Sequence, residues 1–190
     1  MSNPRGVIYY LPGRGGRLDA GLGKALLDRG YSICGRQTFG EFQRLGFTDQ
    51  LHVIADDLKA QFWHTDAMVI ANSYGAYLYL HAQRGMPAFP GKVLLLSPVL
   101  GGSSAPGGSP TFLPPFADRL MELARSGELT FPANCEIHVG EHEWQCQPDR
   151  VAEFGALLGI PVTIVPGGGH QLEKSYVSGI LDRWLLDWDG

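Results

Sequence analysis

The sequence predicts an α/β protein: a doubly wound, mainly parallel six-stranded sheet of order 2-1-3-4-5-6. Three observations predict it. Short runs are apolar at nearly every position rather than alternating, as strands are when helices cover both faces of a sheet. Segments with apolar residues at helical spacing separate those runs. The 190 residues, 44% apolar and 18% charged, suit a single domain with a real hydrophobic core.

The strand-like runs are Val7 to Leu11, Tyr31 to Gly35, Asp66 to Ala71, Lys92 to Ser97, Glu136 to Gly140 and Pro161 to Val165. Between them, Leu22, Leu26 and Leu27 form one helical stripe. Leu51, Ile54, Ala55, Leu58 and Phe62 form a second, with Thr48 as its expected N-cap. Ala76 to Gln83 reads as a helix, and Val177, Ile180, Leu181, Trp184 and Leu185 close the chain with a further stripe. Right-handed βαβ crossovers then dictate the strand order. The fourth and fifth strands are separated by an insertion, residues 98–133, that opens with a Gly-, Ser- and Pro-rich stretch, Pro98 to Pro110. Of this insertion only the second half, within Thr111 to Ala133, looks helical.

A net charge of −4 and the absence of any Lys/Arg cluster exclude the electrostatic footprint of a nucleic-acid binder, leaving small molecules as the expected partners. Met1 to Gly6 carries no basic region followed by an apolar stretch, and no apolar run approaches membrane-spanning length, so a cytoplasmic location is expected. The three cysteines, Cys34, Cys135 and Cys146, make no CxxC pair and are expected to be reduced thiols.

The motif that carries chemistry is Ala71-Asn72-Ser73-Tyr74-Gly75, set between a buried strand and a helix. A sharp strand-to-helix turn lifts one side chain above the sheet, and crowding there demands small residues two positions either side, here Ala71 and Gly75. An ordinary N-cap serine would leave those small residues unexplained. A serine nucleophile needs a base and a group to orient it. His170 ends the loop Pro166-Gly167-Gly168-Gly169-His170 after the last strand. No other histidine, whether His52, His64, His81, His138 or His142, follows such a loop. Three acids, Glu141, Glu143 and Asp149, fall after the fifth strand, and the residues alone leave all three open.

In this order of serine, acid and histidine the sequence resembles the α/β-hydrolase superfamily over nearly its whole length, without the two leading antiparallel strands common in that family. Ala71 stands where the family more often has glycine. The resemblance implies a catalytic triad. Its pattern of a strand-end glycine with an acid three residues on matches Gly140 and Glu143, with glutamate in place of the usual aspartate. It also implies an oxyanion hole from the amides of Tyr74, directly after the serine, and Arg14, in the loop Pro12-Gly13-Arg14-Gly15-Gly16, where proline replaces a common histidine. Residues 98–133 correspond to the family's cap insertion, expected either as a lid over the serine or as a loop and helix packed on the domain's edge.

Nucleotide binding at the glycine loop is excluded by spacing: Leu18 and Leu26 stand where G-x-G-x-x-G needs glycine, and Ala25 follows Lys24 where a P-loop needs Ser or Thr. No HxH pair occurs, and the HxxxH spacing of His138 and His142, with Glu143 beside it, falls on a strand-to-loop segment where a zinc-binding pair needs a helix, so metal catalysis is not expected. No cofactor is expected. A serine at the elbow disfavours the dehalogenase and epoxide hydrolase members, whose nucleophile is aspartate. The expected reaction is cleavage of a small ester or thioester through an acyl-enzyme. Phe39, Phe42, Phe112, Phe116 and Trp144 are candidates for an apolar acyl pocket, and the Arg14 side chain for attracting an anionic substrate group. A catalytically silent binding protein on the same fold, or an acyltransferase, are the alternatives.

Overall fold

The computed structural model describes residues 6–104, 108 and 110–186. Its sheet contains β1 (Val7–Leu11), β2 (Ser32–Gly35), β3 (Met68–Asn72) and β4 (Lys92–Leu96), and later β7 (Asn134–Gly140) and β8 (Val162–Val165). The order β2-β1-β3-β4-β7-β8 is 2-1-3-4-5-6 when the sheet's own strands are counted, and every pairing in it is parallel. Labels 5 and 6 belong to a two-stranded antiparallel hairpin outside the sheet, β5 (Ser103–Ser104) and β6 (Pro110–Phe112), which the sequence reading did not anticipate.

Period-2 geometry explains why the central strands are apolar throughout. In β1, Tyr9 and Leu11 point to one face while Ile8 and Tyr10 point to the other; Val69 and Ala71 oppose Met68 and Ile70 in β3 in the same way. The first face packs against α3 (Phe47–Asp57), α4 (Tyr74–Gln83), α5 (Arg119–Ser126) and α6 (Pro148–Leu158). The second packs against α1 (Leu22–Leu27) and α7 (Lys174–Leu186). The edge strands β2 and β8 are only partly buried. Lys92, 4% exposed, donates to the Trp184 carbonyl and lies over the Trp184 ring, tying α7 to the start of β4.

Two local expectations are corrected. Thr48 is not an N-cap: α3 starts one residue before it, after the extended Gly46, because Phe47 is drawn in to pack on Tyr77 and His81. The stripe through Phe62 is not one α-helix; a π-helical turn, Leu58–Phe62, follows α3, and its wider winding keeps both end residues buried. A short helix, α2 (Gly40–Arg44), also precedes α3. Within residues 98–133 the helical half is α5, as expected, while 105–107 and 109 lie outside the described residues. No helix among the described residues is long and apolar enough to cross a membrane.

Candidate active site

All three elements that carry the predicted triad end at the carboxyl edge of the sheet. Ser73 sits between β3 and α4 with φ 52° and ψ −119°, a conformation unfavourable for a residue with a Cβ and costing about 1–3 kcal/mol. Its own backbone holds it there: the Ser73 N–H donates to the Leu96 carbonyl at 2.9 Å, and its carbonyl accepts from Tyr77 and Val99 at 3.3 Å each. The turn also needs Gly75, where a Cβ would stand 2.1 Å from the Leu11 carbonyl oxygen and 2.5 Å from that of Pro12. Gly13 is near as well, though less tightly: a Cβ there would stand 3.2 Å from the Ser73 Cβ. The serine is thereby wedged against the loop after β1.

His170 follows β8, and Glu143 follows β7. Backbone bonds between the two loops bring them together: Glu141 N–H donates to the Val165 carbonyl at 3.0 Å and His142 N–H to that of Gly168 at 2.8 Å. In this arrangement His170 Nε2 lies 3.1 Å from Ser73 Oγ, and His170 Nδ1 meets Glu143 Oε2 in a short contact. Glu143 is 1% exposed, and its other oxygen accepts from the Gln145 and Cys146 amides at 2.5 and 3.3 Å. Of the other two candidate acids, Glu141 points outward and accepts from the Gly167 amide at 2.9 Å, and Asp149 lies in the first turn of α6. His138 lies in β7 against Tyr176, and His142 is exposed.

The loop after β1 is clamped by Thr38, a buried residue that the sequence reading missed. Its hydroxyl donates to the Gly13 carbonyl and accepts from the Gly16 amide at 3.0 Å; its carbonyl accepts from Gly15 at 3.0 Å and its N–H donates to Gly16 at 3.1 Å. The Gly15 and Gly16 amides are thus occupied, while Arg14 lies between them and Gly13. Cys146 was likewise not foreseen at the site. Its sulfur donates to the Ser97 carbonyl at 2.8 Å and lies 3.9 Å from His170 Nδ1; burial, with help from the Glu143 charge, pushes this thiol well up and keeps it neutral. Glu143, Cys146 and His170 form a group whose ligand atoms lie within 4.8 Å of one another, so these three could hold a metal ion. Each donor already has a protein partner. The histidine cluster weighed from sequence, His138, His142 and Glu143, is not that group.

A cavity of about 450 Å³ opens beside Ser73's neighbours, lined by Arg14, Tyr74, Phe47, Phe112 and Leu113 among others. Of the five aromatic residues named from sequence, only Phe112 lines it; Phe47 and Tyr74 supply the rest of the aromatic wall. Burial raises the Tyr74 phenol, against the lowering influence of the Arg14 charge.

No protein-family model matches this sequence, and no curated protein matches it. Solved structures do. The ydeN gene product of B. subtilis is 14% identical, with a TM-score of 0.64 over 96% of this chain and 97% of that one. A protein from Xanthomonas campestris pv. campestris assigned to the alpha/beta hydrolase superfamily is 14% identical, with a TM-score of 0.63 over 96% of this chain and 98% of that one. The chain has the α/β-hydrolase fold. Est1E from Butyrivibrio proteoclasticus shares it too, at 13% identity and a TM-score of 0.66 over 98% of this chain and 89% of that one.

Proposed function

We propose that this protein is a serine hydrolase that cleaves a small carboxylic ester or thioester through an acyl-enzyme. One observation carries the reading: Ser73 Oγ stands 3.1 Å from His170 Nε2 while the opposite nitrogen of that ring faces buried Glu143. Ser73 attacks the acyl carbonyl as His170 Nε2 takes its proton, and Glu143 accepts from Nδ1–H, fixing the tautomer and offsetting the imidazolium charge. The tetrahedral oxyanion is met by the Tyr74 and Arg14 amides. Collapse breaks the carbonyl–leaving-group bond, and the leaving alcohol or thiol departs with the proton from His170. Water then attacks acyl-Ser73, giving its proton to His170, and the carboxylic acid is released with Ser73 restored. No metal or cofactor enters these steps.

Residues 98–133 act as the cap in this reading, Phe112 to Pro115 forming one wall of the cavity, pinned by the Tyr77 hydroxyl donating to the Pro115 carbonyl at 2.6 Å. The three free thiols suit a cytoplasmic setting. The likeness to proteins described as hydrolases supports the reading at the level of fold.

The test is intact-mass labelling with a fluorophosphonate, followed by peptide mapping. One adduct on Ser73, lost in Ser73→Ala and greatly slowed in His170→Ala, is expected. A folded protein that takes no adduct would refute the proposal and favour a silent binding protein.

A further inference from the structure

The cavity's lining carries a single formal charge. Arg14 is exposed, its guanidinium carbon lies 5.9 Å from the centroid of the Phe112 ring, and it reaches no carboxylate among the described residues. Arg17, Arg29, Arg36 and Arg150, by contrast, each pair with an aspartate. Two of the cavity's polar side chains are also already used: Thr38 bonds the Gly13 carbonyl, and Gln50 Nε2 donates to the Phe42 carbonyl at 2.9 Å. What is left for a ligand is Arg14, Gln43 and the Tyr74 hydroxyl, set in a wall of Phe47, the Tyr74 ring, Phe112 and Leu113. Leu113 and Leu45 are 73% and 40% exposed at this wall, apolar surface that a substrate would cover.

An unpaired guanidinium over an aromatic face presents its fork of donors to a planar anion, and carboxylate fits it in two parallel hydrogen bonds. The cavity adjoins the serine through the chain itself: Arg14 follows Gly13 and Tyr74 follows Ser73, and a Cβ on Gly13 would stand 3.2 Å from that of Ser73. We propose that this cavity selects amphipathic anionic esters, with an apolar stretch along Phe112 and Tyr74 and a carboxylate on Arg14. The inference rests on the serine-hydrolase reading above and names its substrate class.

Two matched ester pairs test it. Mono-para-nitrophenyl adipate and para-nitrophenyl hexanoate have acyl chains of equal length and differ in a terminal carboxylate; para-acetoxybenzoate and phenyl acetate differ in a carboxylate on the leaving group. Each kcat/KM is divided by that ester's own uncatalysed hydrolysis rate. The anionic member of at least one pair is expected to be preferred by about tenfold or more. That ratio should collapse in Arg14→Gln, return only in part in Arg14→Lys, which restores the charge but not the fork, and fall as salt is raised. The pair that responds identifies which side of the scissile bond occupies the cavity. Fluorophosphonate labelling of Ser73 with turnover of the neutral esters, but an anionic-to-neutral ratio near one in both pairs and unmoved by Arg14→Gln, overturns the substrate class and leaves the hydrolase standing. Absence of labelling and of turnover of any ester overturns both.

Discussion

His81 gives the protein an acid sensitivity that can be worked out in advance. It lies on α4 with 2% of its surface exposed, and neither ring nitrogen has a hydrogen-bond partner among the described residues. Its ring packs on Tyr77 at 4.4 Å, Phe47 at 5.3 Å and Phe116 at 6.5 Å, and the nearby Arg84 adds like charge. Burial first, then Arg84, lowers its pKa from 6.5 to about 4. The neutral ring is therefore the native form, and the unfolded chain binds a proton that the folded one refuses. This contribution to stability is complete above pH 6.5 and is lost as the pH falls towards 4. At about 1.4 kcal/mol per pH unit the loss amounts to roughly 3 kcal/mol. Urea unfolding of wild type and His81→Phe between pH 8 and about 4 measures it, since carboxylate titrations common to both cancel in the difference. Wild type should lose roughly 3 kcal/mol relative to the variant across that window. Parallel stability profiles would refute the reasoning, showing that the ring is hydrated or partnered in solution.

Replacing Glu143 by Gln leaves the fold but removes the anion that orients His170; ester turnover should fall by about 10³ or more, read as kcat with circular dichroism unchanged. Gly75→Ala puts a Cβ 2.1 Å from the Leu11 carbonyl oxygen, so the variant should lose about 3 kcal/mol in denaturant unfolding or fail to accumulate folded. Thr38→Val leaves the Gly13 carbonyl and Gly16 amide without the hydroxyl that joins them; it should cost about 2 kcal/mol. It should also lower kcat about tenfold with KM little changed, whereas Thr38→Ser restores both.

The sheet was readable because its central strands are buried on both faces, which leaves an unbroken apolar signature in Tyr9, Ile70 and Leu94 alike. Where it was misread, the controlling contacts come from elsewhere in the chain. Thr48 has the chemistry of an N-cap, but tertiary packing of Phe47 on Tyr77 starts the helix earlier. The β5–β6 hairpin lies in Gly-, Ser- and Pro-rich chain with no alternation to betray it, and two pairings, Ser103 with Phe112 and Ser104 with Pro110, define it.

The site divides along the same line. Ser73 could be found from sequence because its strained φ places demands on immediate chain neighbours, so the small residues that satisfy them sit beside it in the motif. His170 was legible for a related reason, the glycines that shape its loop being contiguous with it. For Glu143 the residues alone left three acids, and only the resemblance's strand-end glycine pattern singled it out; the bonds between the β7 and β8 loops turn it inward and leave Glu141 facing out. Thr38 and Cys146 had no local mark at all. Each acts through a partner 25 or 24 residues away, Gly13 and His170, and a residue whose geometry is imposed from across the sheet leaves nothing in its own neighbourhood to read. The same reasoning applies to Arg14. Its position in the glycine loop was visible, but that its charge goes unpaired beside an aromatic wall depends on where β6 places Phe112, which makes substrate choice the part of function that the sequence alone carries least.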